Sequence, residues 1–141
     1  MPLKIIDHGS AEYEQMVRLR DEILRKPLGL RFSPEELERE KNHILIAAFE
    51  EDEMLGCCML IDEPPSVRLR QMAVLNSLQG KGIGRALMNF AENLSRDRGY
   101  RTITMHARKM ALGFYERVGY KVIGDEFIEI NIPHYVMEKQ L

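Results

Sequence analysis

Tryptophan is absent from the 141 residues, and cysteine occurs only as the neighbours Cys57 and Cys58. Adjacent strand residues point to opposite faces, so this pair suits neither a disulfide nor a zinc site. It reads as two small buried hydrophobes in a reducing compartment. No cluster of His, Cys, Asp and Glu has metal-ligand spacing. A large excess of one charge is also missing: 20 Lys and Arg stand against 22 Asp and Glu, for a net charge of −2. That balance argues against a nucleic-acid coat. Asp7, His8 and Glu12 interrupt any N-terminal apolar run, and no run nears the ~20 apolar residues of a membrane-spanning helix. These absences imply a cytoplasmic protein with no membrane or nucleic-acid partner. Repeats, low-complexity tracts and long linkers are lacking too, so residues 1–141 read as a single domain.

What is present is a patterned alternation of strands and helices. Leu3–Ile6 reads as a first strand, and Ser10–Leu24 as a helix stopped by Pro27 and Gly29. Ser33-Pro34-Glu35-Glu36 is a helix start, with Ser33 as N-cap and Glu36 closing a capping box. His43–Phe49 and Met54–Ile61 are near-continuously apolar, as expected of a hairpin buried on both faces. Val67–Leu75 follows as a strand. Its large apolar residues change parity, from Val67 and Leu69 to Met72 and Val74, which predicts a β-bulge near Arg70–Met72. Gly82–Arg96 carries one apolar stripe (Ile83, Ala86, Leu87, Phe90, Ala91, Leu94) and reads as a helix ended by Gly99. Thr102–Ala107 is a strand, Met110–Val118 a helix closed by Gly119, and Tyr120–Ile132 and Tyr135–Glu138 are final strands around Pro133. The order is β-α-α-β-β-β-α-β-α-β-β. Strands joined by a helix run parallel, so the fold class is α/β (α+β). It is a mixed, mostly antiparallel sheet of about six or seven strands, with a parallel central pair and helices on both faces.

The segment from Met72 to Arg85 joins a strand to a helix through a glycine-dense turn, Gln79-Gly80-Lys81-Gly82-Ile83-Gly84-Arg85. A helix start leaves several N–H groups unpaired at the positive end of its dipole. Glycines remove the Cβ atoms that would hold an anion away from them. The turn therefore suits a phosphate or pyrophosphate, with Lys81 and Arg85 able to add charge at the rim. It is not a Walker loop, because no Gly-Lys-Ser/Thr follows at the required distance. Nor does Gly80-x-Gly82-x-Gly84 have dinucleotide-fingerprint spacing.

Gln79-Gly80-Lys81-Gly82-Ile83-Gly84 resembles the Gln/Arg-x-x-Gly-x-Gly/Ala motif of the GNAT superfamily, the Gcn5-related N-acetyltransferases. Ala111-Leu112-Gly113-Phe114-Tyr115-Glu116-Arg117-Val118-Gly119-Tyr120 is similar to the family's second signature, Ala-x-x-Phe-Tyr-Glu-x-x-Gly-Phe. The tail Gly124–Met137, with Ile132-Pro133-His134, resembles a small bacterial subgroup of unassigned substrate. The resemblance implies direct transfer of an acetyl group from acetyl-CoA to an amine, with coenzyme A as product. It implies that the amides of Gln79, Gly80, Lys81, Gly82, Ile83, Gly84 and Arg85 hold the pyrophosphate. The backbone of Met72, Ala73 and Val74 is then expected to pair with the pantetheine arm, in a gap between the two parallel strands that the bulge helps to open. The N–H of Val74 is expected to polarise the thioester carbonyl. Ala111 and Phe114 are expected at the cofactor, and Tyr115 as the general acid that protonates the departing thiolate.

Arg108 departs from the family pattern, which often has Asn at this position on the pantetheine. Here an arginine can reach the cofactor, an acidic acceptor or solvent. Candidates for the base that takes the amine's proton are Glu63, His106, Glu126, Glu129 and His134. In relatives the region of Glu129 and His134, together with Leu24–Lys41, shapes the acceptor pocket. His8 and His43 read as structural. Dimers are common in the family. The rival reading is an acyl-CoA-binding regulatory module without turnover.

Overall fold

Strands rich in alternating or continuous apolar residues assemble the centre of the protein. The computed structural model describes residues 1–141. Strands β1 (Leu3–Ile6), β2 (Ile44–Glu50), β3 (Glu53–Glu63) and β4 (Ser66–Val74) pair antiparallel in chain order. Helix α3 (Ile83–Asp97) then carries the chain back across the sheet, so β5 (Thr102–Arg108) runs parallel to β4. β6 (Lys121–Glu129) and β7 (Ile132–Gln140) form a hairpin. Its second strand docks on β5, giving the seven-stranded order β1-β2-β3-β4-β5-β7-β6. The element order and mixed sheet match the sequence expectation.

Each sheet face closes a separate core. On one, Ile46, Cys58, Val67, Leu69, Ile103 and Met105 pack with Leu87, Met88 and Ala91 of α3 and with Tyr115 of α4 (Leu112–Arg117). On the other, Leu45, Ala47, Cys57, Met59 and Ala73 pack with Tyr13, Met16 and Leu19 of α1 (Ala11–Arg20). Cys57 and Cys58 thus fall on opposite faces, as read. Burial pushes the Cys57 thiol up to about 12, so it is inert at neutral pH.

Two expectations need correction. The α1 helix is shorter than Ser10–Leu24: its α geometry ends at Arg20, and one π turn over Asp21–Arg25 and a 3-10 turn over Lys26–Leu28 follow. Pro133 does not separate the last strands but lies inside β7, opposite Ile128 of the edge strand. β5 begins to pair with β7 only at His134, so no β5 carbonyl awaits the N–H that proline lacks.

The segment after α1 is tied down by buried charge. Ser33 and Glu36 form the expected capping box on α2 (Pro34–Glu38). Arg20, with its side chain fully buried, makes a bidentate pair with Glu40 at 2.8 and 2.7 Å, and the Tyr13 hydroxyl donates to the same carboxylate at 2.6 Å. Arg20 and Arg25 both stack on the ring of Phe32. Removing one partner of such a pair leaves the other charge buried and uncompensated. Glu40→Ala should therefore cost about 3–5 kcal/mol in urea unfolding. An unchanged unfolding midpoint would show that the pair does not hold this segment.

Candidate active site

The site begins with one extra residue in β4. Cys57 pairs with Ala73 and Met59 with Arg70, so β3 advances two residues where β4 advances three. The surplus is absorbed at Gln71, whose φ of 57° lies in the left-handed region. This is the bulge expected from the parity change. Pairing between β4 and β5 stops at Leu69 and Met105, and beyond them the strands part. Leu75 N–H donates to Leu55 O at 3.0 Å. The alternation of an antiparallel ladder therefore turns the peptide of Ala73 toward β3 and that of Val74 toward the gap. The carbonyl of Val74 accepts from Gln79 Nε2 at 3.2 Å, leaving its N–H as the open donor. Ala73 itself is buried and paired, so of the expected strand residues it offers the gap least.

The glycine turn is built to present amides. Gln79 uses its side chain on Val74 O and Asn76 Oδ1, which fixes the loop to the end of β4. Gly80 and Gly82 have φ of 81° and 88°, and a Cβ on either would meet only open space. Glycine is thus favoured there by backbone conformation, and the space beside it is free. Gly82 caps α3 without any side-chain bond. None of the amides of Gly80, Lys81, Gly82, Ile83, Gly84 and Arg85 donates to a protein acceptor; the first bonded one is Ala86, to Gly82 O. Ile83 is buried and contributes only its backbone, while Lys81 and Arg85 are exposed. Such a run at a helix N-terminus is an anion cradle.

Helix α4 packs on the start of α3. A Cβ on Gly84 would lie 3.1 Å from the Phe114 ring, and Phe114 and Tyr115 meet edge to face at 5.0 Å. Ala111, half-buried, closes the turn from β5 into α4. Tyr115 is only 7% exposed and its hydroxyl has no protein partner. Burial raises its pKa, Cys58 adds to the rise, and Arg108 opposes it. Arg108 lies on the other face of β5 and does not sit free in solvent: it donates to Leu24 O at 2.6 Å. Burial and nearby Arg25 depress its pKa, while Tyr115 acts in the opposite direction. The phenol and the guanidinium thus lie on opposite faces of β5, near enough to act on each other's charge.

Beyond the gap, on the α1 face, the structure brings together three of the base candidates. Glu129 Oε1 lies 3.0 Å from His106 Nδ1, and Glu129 Oε2 lies 3.8 Å from His134 Nε2. His134 is buried and its Nδ1 donates to Ile132 O at 2.9 Å. Burial raises the Glu129 pKa, but the His106 hydrogen bond and the charges of His106, His134 and Arg68 outweigh it and hold the carboxyl below its ordinary value. Glu63 and Glu126 fall outside this group. Glu63 ends β3 beside Ser66, at the closed end of the β4–β5 pair. Glu126 is exposed on β6, bonded to Lys109.

Sequence reading missed Arg68 and Arg70. Both lie on β4 facing away from Val67 and Leu69, and Arg68 places Nη2 2.9 Å from His106 Nδ1. The available signal was two arginines alternating through a central strand, where the inward face normally carries apolar residues. His106 Nδ1 cannot serve both neighbours. Protonated it donates to Glu129, and unprotonated it accepts from Arg68.

Comparison with known proteins agrees with this fold. A family model described as an acetyltransferase (GNAT) domain matches residues 18–141. The Bacillus subtilis N-acetyltransferase YjcF, itself uncharacterized, is 26% identical over 138 residues, 96% of this chain and 97% of its own. The crystal structure of aminoglycoside 6'-acetyltransferase type Ii is 26% identical, with a TM-score of 0.83 over 99% of this chain and 97% of that one. An aminoglycoside 6'-N-acetyltransferase solved with coenzyme A has the same fold at 22% identity, with a TM-score of 0.83 over 99% and 97% of the two chains.

Asparagine tolerates the left-handed backbone, so Gly82→Asn keeps the turn and places a side chain over the amides. We expect a folded free protein whose melting temperature falls by no more than a few degrees, and at least about tenfold weaker coenzyme A binding, near 1.4 kcal/mol. Undiminished stabilisation by coenzyme A in a thermal melt would remove the turn from the binding site.

Proposed function

The chain belongs to the GNAT acetyltransferase family, and from that premise we propose that it moves an acetyl group from acetyl-CoA directly to a primary amine. The observation that carries this reading is the run of unpartnered amides, Gly80 to Arg85, set beside a parallel strand pair that parts at Leu69 and Met105. The amides, with Lys81 and Arg85, hold the diphosphate. The freed edge of β4 at Met72 and Val74 pairs with the pantetheine arm, while Ala111 and Phe114 flank its sulfur end. In this assignment Ala73 contributes shape alone, and Arg108 braces Leu24 and leaves the pantetheine uncontacted.

Acetyl-CoA supplies an activated acyl carbon. The N–H of Val74 donates to the carbonyl oxygen as negative charge grows on it. The amine nitrogen bonds to the acyl carbon, the carbon–sulfur bond breaks, and its electron pair leaves on sulfur. The Tyr115 hydroxyl donates to that sulfur. A phenol raised above its ordinary value of about 10 is a weaker acid than a thiol near 8.5. Tyr115 therefore keeps its proton and stabilises the sulfur by that hydrogen bond as negative charge grows on it, and the thiolate is protonated from solvent. On the acceptor side, His106, 30% exposed, donates from Nδ1 to Glu129, which leaves the Nε2 lone pair to take the amine's proton.

Incubation with acetyl-CoA and a panel of amines, reading free thiol, tests the reaction. Coenzyme A binding without thiol release for any amine would instead favour a non-catalytic acyl-CoA-binding module. Tyr115→Phe should lower kcat by about 10²-fold, the low end for general acid catalysis, with little change in KM. An unaltered rate would take Tyr115 out of the chemistry. His106→Gln should lower kcat/KM by about 10²-fold, the low end for general base catalysis. An unchanged value would assign the base elsewhere.

A further inference from the structure

Arg70 has no partner. It is half-buried on β4, one residue past the last β4–β5 pair, and on the same face as His106, which holds the matching position on β5. The two side chains therefore flank the apex of the gap, on the side opposite Tyr115. No carboxylate or carbonyl of the protein accepts a hydrogen bond from Arg70, and it enters no ion pair. The acidic groups that act on it are committed elsewhere. Glu40 is bonded to Arg20 and Tyr13, and Glu129 to His106. Its other charged neighbours, Arg68 and Arg20, repel it. Arg68 adds a further unmet donor, because its Nε is buried with no partner. Burial and Arg68 together hold the Arg70 guanidinium below its ordinary pKa.

An unpaired, desolvated guanidinium costs stability and has no structural return in the free protein. Stability lost in this way is common where a site awaits a ligand. A guanidinium has a rigid fork of donors that fits a carboxylate with two parallel bonds. Beside it, Glu129 and His106 are suited to an ammonium that must give up a proton. We propose that the acceptor is a small amine that also carries a carboxylate, with Arg70 binding the carboxylate and the amine lying toward His106. This rests on the acetyl transfer proposed above and specifies its second substrate. A polycation such as an aminoglycoside, the substrate named for two of the structural relatives, would meet Arg68 and Arg70 unneutralised.

The test compares thiol release from acetyl-CoA with L-amino acids, their carboxamides and kanamycin, in the wild type and in Arg70→Gln. Amino acids should react better than their amides by at least about tenfold in kcat/KM, and kanamycin should be the poorest. Arg70→Gln should erase the difference between acid and amide through KM, leave KM for acetyl-CoA unchanged, and raise the melting temperature of the free protein. Arg70→Lys should recover only part of the preference, because it keeps the charge without the fork. Amides or kanamycin reacting as well as the amino acids would overturn the proposal. So would a preference that survives Arg70→Gln, or a melting temperature that falls in that variant. If acetyl-CoA raises the melting temperature but no amino acid accelerates thiol release, the acceptor class is wrong and the cofactor assignment stands. If acetyl-CoA gives no shift, the acetyl-transfer reading itself fails.

Discussion

The parting of β4 from β5 beyond Leu69 and Met105 is the constraint on which the site depends. A parallel pair kept in register would satisfy its own peptide groups and leave no opening through the sheet. The residue inserted at Gln71 turns β4 away, and the strand's edge is exposed where the glycine turn begins. The irregularity frees backbone donors along β4, and the helix start that follows supplies a second unfilled set around Gly82. An exposed strand edge is ordinarily a hazard for aggregation. Here the Asp21–Arg25 turn packs against β4 on one face and Tyr115 of α4 lies on the other.

The gap also divides the candidate residues between two faces. Tyr115 and Phe114 lie on the α3 and α4 side, within the larger apolar core. Arg68, Arg70, His106, Glu129 and His134 lie on the α1 side, where β5 and β7 carry polar residues. Arg108 acts as a brace at the boundary, tying the end of β5 to the turn after α1 through Leu24 O. That turn is in turn held by Arg20 and Glu40, so a buried ion pair remote from the opening fixes one wall of the proposed acceptor side.

Much of this was legible in sequence because it is written in local rules. The stripe of Ile83, Leu87 and Ala91, the Ser33–Glu36 capping box and the parity change before Met72 each depend on neighbours within a few residues. Two sequence signatures in order, at Gln79–Gly84 and Ala111–Tyr120, pointed to the family whose model matches residues 18–141. Legibility ended where residues distant in the chain meet. That β7 inserts between β5 and β6 brings Glu129 and His134 to His106, and no local pattern encodes that order. Arg108 read as free to reach a ligand because its partner, Leu24 O, lies 84 residues away. Arg70 was passed over because its significance is a missing partner, visible only once Glu40 and Glu129 are seen to be engaged with others.

Backbone amides do the holding in this account, and their resonances report it directly. An amide-resolved NMR titration of the labelled protein should compare coenzyme A with pantetheine, which lacks the diphosphate. Coenzyme A should move the amides of Gly80 through Arg85 together with those along the freed edge of β4; pantetheine should move the β4 edge and leave the turn unchanged. Coenzyme A binding that left the turn's amides at their free-protein positions would contradict the account at its base.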